Sequence, residues 1–213
     1  IYTTQDQSQI VTVTASATDF AGNGTSVGEN ESAQVSRTFV IDPVAPVISD
    51  TLTSGAQVQN GKYYNQDVVI TTKITERFLD MENKLIYTIN GTTMTLGELL
   101  SRKAEFGISS IVVEYGADGS VGEERSDDST STVTITFHDD GEYTISAQVS
   151  DYAGNQSAPT QTDTFVVDQT KPVASVAYYS YGTGQTFAPG TAANAPYYLN
   201  QNYSSFKAVV SVT

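Results

Sequence analysis

One segment of this chain occurs twice, and that repetition limits what it can fold into more than any other feature. The first copy runs Val11-Thr-Val-Thr-Ala-Ser-Ala-Thr-Asp19-Phe-Ala-Gly-Asn23, reaches Phe39-Val-Ile-Asp42, and continues to Pro46-Val. The second runs Tyr143-Thr-Ile-Ser-Ala-Gln-Val-Ser-Asp151-Tyr-Ala-Gly-Asn155, reaches Phe165-Val-Val-Asp168, and continues to Pro172-Val. Asp19 and Asp151 are 132 residues apart, whereas Asp42 and Asp168 are 126 apart; a longer loop after Asn23 absorbs the difference of six. Tyr63-Tyr64-Asn65-Gln66 is echoed by Tyr197-Tyr198-Leu199-Asn200-Gln201, each ahead of a strand-like run, at 68–75 and 206–213. A period this long predicts whole domains in series, not the turns of a solenoid.

The domain boundaries follow from the repeat. Residues 1–42 read as the C-terminal strands of one repeat, 43–170 as a complete repeat, and 171–213 as the N-terminal strands of a third. The chain therefore reads as an internal piece of a longer array. The joints Asp42-Pro-Val-Ala-Pro46 and Asp168-Gln-Thr-Lys-Pro172 are short and carry proline. Proline fixes φ and removes a donor, so Pro46 and Pro172 suit stiff connections better than floppy linkers.

Within 43–170, short alternating segments bounded by Gly, Asn, Asp and Pro predict strands near 46–50, 67–75, 84–90, 109–115, 132–137, 142–150 and 162–168. Val68, Ile70, Thr72 and Ile74 would share one face, and Val133-Thr-Ile-Thr-Phe137 puts apolar residues on one side and threonines on the other. Strands with one dry face in this number point to an all-β fold, a two-sheet Greek-key sandwich. One exception stands out. Thr95-Leu-Gly-Glu98 reads as a capping box, and Leu96, Leu99, Leu100 and Phe106 form a rough apolar stripe before Gly107. These residues predict a short inserted helix at about 96–106 that plugs an edge or end of the sandwich.

Composition narrows the function classes. With no cysteine, disulfide frameworks and thiolate metal sites are excluded. The formal net charge of −14 disfavours nucleic acid and anionic lipid and favours bound cations. No apolar run is long enough to span a bilayer, and no leader with a basic and an apolar region is visible. His138 is the single histidine, beside Asp139 at a strand end, which suits a surface residue better than a triad or a zinc site. The acidic stretch at 118–128 contains Glu123-Glu124 and Asp127-Asp128, but no apolar wall there would raise one carboxyl to serve as a glycosidase acid. No enzymatic constellation emerges.

The run Asp139-Asp-Gly141-Glu-Tyr143-Thr-Ile145 resembles the immunoglobulin-fold signature at the start of strand F, with Ile145 where many members carry their second cysteine. That resemblance implies a tyrosine corner at Tyr143, which has Val11 as its counterpart in the first copy. Together with Ile74-Thr-Glu76-Arg-Phe78, Asp151-Tyr-Ala-Gly-Asn155 and Phe165-Val-Val-Asp168-Gln-Thr-Lys-Pro172, it is similar to the bacterial immunoglobulin-like (Big-type) tandem repeats of large Gram-positive surface and adhesin proteins. The resemblance covers nearly the whole chain. It implies serial extracellular domains, at the cell wall or secreted, whose partners are neighbouring repeats of the same protein.

Two readings of Asp151-Tyr-Ala-Gly-Asn155 and its twin stand side by side. In the first, the motif is a tight turn in which Gly154 or Asn155 takes positive φ and the Asp carboxylate caps backbone N–H groups. In the second, implied by the resemblance, it contributes to calcium at domain joints, with Asp19 paired to Asp42 and Asp151 to Asp168, since Ca²⁺ gathers hard oxygen ligands. An isopeptide crosslink would need a buried lysine, and Lys73 is the most strand-like one. Three functions are open at this level. The chain is a structural spacer; or it is a ligand-binding module for carbohydrate or a host protein, using tyrosines such as Tyr63-Tyr64, Tyr178-Tyr179, Tyr181 and Tyr197-Tyr198; or its incomplete end repeats self-associate by strand exchange.

Overall fold

The computed structural model describes residues 9–21, 35–56, 58–116, 130–180, 186–187 and 206–213. The chain divides into two compact units, Ile1–Gln169 and Thr170–Thr213. The first contains an antiparallel hairpin, β1 (Gln9–Ala15) with β2 (Val35–Ile41), followed by a sandwich of two sheets.

The sandwich strands are β3 (Val47–Ser54), β4 (Tyr63–Tyr64), β5 (Val68–Thr75), β6 (Leu85–Ile89), β7 (Thr92–Thr95), β8 (Ile108–Glu114), β9 (Thr130–Phe137), β10 (Gly141–Val149) and β11 (Asp163–Val167). One sheet has the order β3-β5-β9-β8, the other β4-β11-β10-β6-β7. This is the immunoglobulin arrangement, with one sheet of the first, second, fifth and fourth principal strands and a second sheet built on the third, sixth and seventh. The first strand is split: β3 pairs antiparallel with β5, and β4 crosses to run parallel to β11.

Side-chain alternation explains the two layers. In β5 the residues Val68, Ile70, Thr72 and Ile74 are all buried, and in β9 so are Val133, Ile135 and Phe137, as the sequence predicts. Facing them are Leu85, Tyr87 and Ile89 of β6, Tyr143, Ile145, Ala147 and Val149 of β10, and Phe165 and Val167 of β11. Thr72 is the one polar residue in the inward row of β5. Its hydroxyl oxygen accepts a hydrogen bond from the Tyr87 hydroxyl at 2.9 Å, so neither buried group is left unsatisfied. Burial in this core pushes the Tyr87 phenol well above its ordinary range.

β7 lies outside the expected strands, although Asn90-Gly91 marks it. Both residues have positive φ, 48° and 78°, the geometry of the two-residue turn that matches strand twist. The expected helix is present as α2 (Leu96–Arg102), following a one-turn helix α1 (Met81–Lys84) and extended by a 3₁₀ turn over Lys103–Phe106. Thr95 and Glu98 form the reciprocal capping box, and Gly107 ends the segment at φ 65°. Leu96 and Leu99 enter the core while Leu100 stays exposed, so the helix plugs the sandwich with one narrow stripe. No helix among the described residues is long and apolar enough to cross a membrane.

Tyr143 forms the corner its motif implies. Its hydroxyl donates to the Asp139 carbonyl at 2.8 Å, and its ring stacks on Phe165 at 5.5 Å and tilts against Phe137 at 4.9 Å. Gly107 serves this corner twice. Its backbone is left-handed, and a Cβ there would run into the Tyr143 hydroxyl.

In the second unit, β12 (Ala174–Ser180) pairs antiparallel with β14 (Phe206–Val212), and the short β13 (Thr186–Phe187) pairs with β12. Aligned through Pro46 and Pro172, Val173 is the counterpart of Val47, and Val173 bonds to Thr213 as Val47 pairs with Thr75. The hairpins agree to the residue as well. Gln9 opposes Ile41 just as Gly141 opposes Val167, and these are the positions that the sequence alignment equates.

Tyr143→Phe is expected to lower stability by about 1–2 kcal/mol, the worth of one hydrogen bond whose carbonyl partner is then left partly buried. Gly107→Ala is expected to lower it further through clash and strained φ. Urea denaturation checks both; a Tyr143→Phe midpoint equal to wild type would show that the hydroxyl anchors nothing.

Candidate metal centre at the linker

Three buried carboxylates, from Asp42, Glu76 and Asp151, lie within 4.8 Å of one another. Strand periodicity puts two of them there. Glu76 is the next inward position of β5 after Ile74, and Asp151 the next inward position of β10 after Val149. Both inward rows, apolar but for Thr72, thus end in an acid at the same pole of the sandwich. Asp42 arrives from the linker between β2 and β3, whose Pro46 is buried.

The donors that reach the cluster are specific. Asp151 Oδ1 accepts from the N–H groups of Gly154 at 2.7 Å and Asn155 at 2.8 Å, and its Oδ2 accepts from the Asn155 side-chain amide at 2.7 Å. Gly154 takes the positive φ, 94°, and Asn155 does not. The turn reading of the motif is therefore realised, with Gly154 as its hinge. Asn155 does more than close the turn. Its amide also donates to the carbonyls of Asp42 at 2.8 Å and Val44 at 3.3 Å, which ties the turn to the linker. Glu76 Oε1 accepts from the N–H groups of Arg77 at 2.6 Å and Phe78 at 2.8 Å, and Asp42 Oδ1 from that of Val44 at 3.2 Å.

Burial pushes the Glu76 carboxyl above its ordinary range. The Phe78 and Arg77 N–H groups oppose that shift, and the charges of Asp42 and Asp151 add to it. Two full charges 4.8 Å apart repel by about 3.5 kcal/mol at an effective dielectric constant of ~20. Three such pairs rival the net stability of a domain, and the N–H donors oppose that repulsion, as a proton or a bound cation would. Hard oxygen donors without sulfur or imidazole fit Ca²⁺, which takes ~6–8 oxygens from carboxylates and carbonyls, better than zinc or copper.

The expected pairings are not formed. Asp151 follows the end of β10, a nine-residue strand, while register puts Asp168 beside the opposite end, where Gly141 faces Val167. All of β10, about 27 Å long, lies between the two positions. Asp168 is exposed, and its backbone N–H bonds to the Tyr64 carbonyl at 2.8 Å. Asp19 and Asp42 are separated in the same way by β1, where Gln9 faces Ile41. Asp19 is exposed, and its Oδ1 accepts from the Ala21 N–H at 2.8 Å. A linker Asp meets the turn of the sandwich that follows it, not of the hairpin that precedes it, and Glu76 completes the group.

At the opposite pole, Gln169 is bonded to its own sandwich. Its backbone N–H donates to Asp140 Oδ1 at 2.7 Å, and its amide to Asp67 Oδ1 at 2.9 Å and the His138 carbonyl at 2.8 Å. His138 Nδ1 lies 2.8 Å from Asp67 Oδ1 on the surface. Pro172 is exposed, and Lys73 points outward from its strand. Tyr181, Tyr197-Tyr198, Glu123-Glu124, Asp127-Asp128 and the rest of the 118–128 stretch lie outside the described residues, as do the side chains of Tyr178-Tyr179. No family model and no curated protein matches the chain.

The Asp67 hydrogen bond holds the His138 imidazole above its ordinary range, and His138 holds the Asp67 carboxyl below its own. The stabilising effect on the histidine side is present below its unfolded value and is lost as pH rises through the raised one. The aspartate side is lost as pH falls through its lowered value. Both groups are exposed, so the stability effect is small. The midpoint is still measurable: NMR titration of His138 is expected above 6.5, falling towards the ordinary value in Asp67→Asn.

Proposed function

We propose that the chain is a non-catalytic spacer of immunoglobulin-like sandwiches in series, part of a bacterial surface protein of the adhesin type, stiffened by calcium where a linker enters a sandwich. The observation that carries this reading is the tie at the linker: Asn155 bonds two linker carbonyls while Asp42, Glu76 and Asp151 converge beside it. Bound there, a divalent cation would neutralise the three like charges and join the linker to the ends of both sheets. The matching registers of the flanking hairpins support serial repeats, each entered through a proline-bearing joint.

Spacer function needs little chemistry from its residues. It needs domains that keep their orientation under load, and a short linker fixed by hydrogen bonds and proline supplies that. The anionic surface, −14 over the chain, keeps extended arrays soluble and draws cations to the joints.

Thermal melts in millimolar CaCl₂ and in EDTA test the calcium reading. Ion at ~100 times its dissociation constant adds about 2.7 kcal/mol, a rise of several degrees. Glu76→Gln is the informative variant, because its side-chain oxygen can still accept from Arg77 and Phe78. In EDTA at neutral pH it is expected to melt at or above wild type. A raised carboxyl value penalises the charged form, and that penalty vanishes below the ordinary Glu range. In CaCl₂ the variant is expected to lose the rise. An equal rise in wild type and variant would remove calcium from this cluster.

A further inference from the structure

A second feature at the linker pole is unused by the joint. A cavity of about 300 Å³ is lined by Leu79, Asp80, Glu82, Tyr115, Ser131 and Tyr152 among others. Tyr115 and Tyr152 are 61% and 66% exposed, and neither contributes to the core. Large rings left this open beside a concave surface are suited to contacts with another molecule.

The polar groups of the cleft define what that molecule must offer. The Tyr115 hydroxyl donates to Glu82 Oε1 at 3.2 Å, and the Gly116 N–H donates to Ser131 Oγ at 2.9 Å. Asn83 donates to Asp80 through its backbone at 3.2 Å and its side chain at 2.8 Å. These donors are engaged inside the wall, while the carboxylates of Asp80 and Glu82 keep further lone pairs. A saccharide brings hydroxyls that both donate and accept. A guanidinium brings five donors, no acceptor and a planar cation that stacks on aromatic rings. The charges of Glu82 and Asp80 also reach the Tyr115 hydroxyl, whose titration is pushed up by burial first and then by those two neighbours. The cleft is thus negative, acceptor-rich and flanked by aromatic rings.

We infer that this cleft is a binding site for an arginine side chain presented by a partner polypeptide, with Tyr115 and Tyr152 as stacking walls and Glu82 and Asp80 as the counter-charges. The net charge of −14 steers basic partners towards it. The cleft adjoins the joint, since the Tyr152 N–H bonds to the Phe78 carbonyl at 3.0 Å, but it shares no carboxylate with the acidic cluster. The inference therefore stands without calcium.

The test is an NMR titration of the ¹⁵N-labelled full chain in low salt and EDTA, using the peptide acetyl-Gly-Arg-Gly-amide and its Gln counterpart. Saturable shifts at Leu79, Glu82, Gly116 and Tyr152 are expected with the arginine peptide, with affinity at least about five-fold above that of the glutamine peptide. Glu82→Gln and Tyr115→Leu are each expected to weaken the arginine response by about five-fold while melting as wild type, because both side chains are exposed. Glu76→Gln is expected to leave the response unchanged, so the outcome here is separate from that of the calcium melts. Equal response to both peptides, a stronger response to methyl glucoside, unchanged binding in Glu82→Gln, or no saturable shift would each overturn the inference.

Discussion

The structure depends on how the dry space between the two sheets is closed where the linker enters. Every second position of β5 and β10 buries its side chain between the sheets, all of them apolar except Thr72, and the period of two dictates which residue comes next on each row. On β5 it is Glu76 and on β10 it is Asp151. Buried acids are stable only when hydrogen-bonded or neutralised, so both strands must end in backbone that curls back to donate N–H groups. Arg77 and Phe78 do this for Glu76, and Gly154 and Asn155 for Asp151. The same demand draws in the linker, whose carbonyls take the Asn155 amide. The electrostatics of the pole thereby fix how one sandwich is entered.

The rest of the sandwich is organised so that this pole can be polar. Phe137, Tyr143 and Phe165 close the far end with three rings in mutual contact, held by the bond from Tyr143 to the Asp139 carbonyl. Begun by the Thr95–Glu98 box and ended at Gly107, α2 and its 3₁₀ extension fill the side where the chain passes from β7 to β8. Each of these is a local solution to backbone and side-chain satisfaction, independent of the acidic cluster. A change at the linker can therefore alter stiffness without disturbing the core.

Much of this was legible in the residues. Alternation located the long strands because one face of each is dry, and the capping box located α2 because its chemistry is local. The corner at Tyr143 followed from its motif. β4 was not legible, since two residues carry no period and its parallel pairing to β11 is decided by tertiary contacts. β7 has a short, half-exposed pattern, although Asn90-Gly91 is a strong turn signal. The metal candidates were half legible. Asp42 and Asp151 carry the motif, but pairing each Asp with its neighbour along the same hairpin ignores that antiparallel strands separate those positions. Glu76 had a signal of its own, an acid continuing the inward row of a strand.

Direct binding measures the central claim most simply. Calorimetric titration of CaCl₂ into the chelator-stripped full chain at neutral pH reports affinity and stoichiometry without reference to unfolding. A single saturable site, absent from both Glu76→Gln and Asp151→Asn and retained in Asp168→Asn, is the expected result. An isotherm left intact by Glu76→Gln, or one abolished by Asp168→Asn, would place the ion elsewhere and contradict a calcium-stiffened entry to the sandwich.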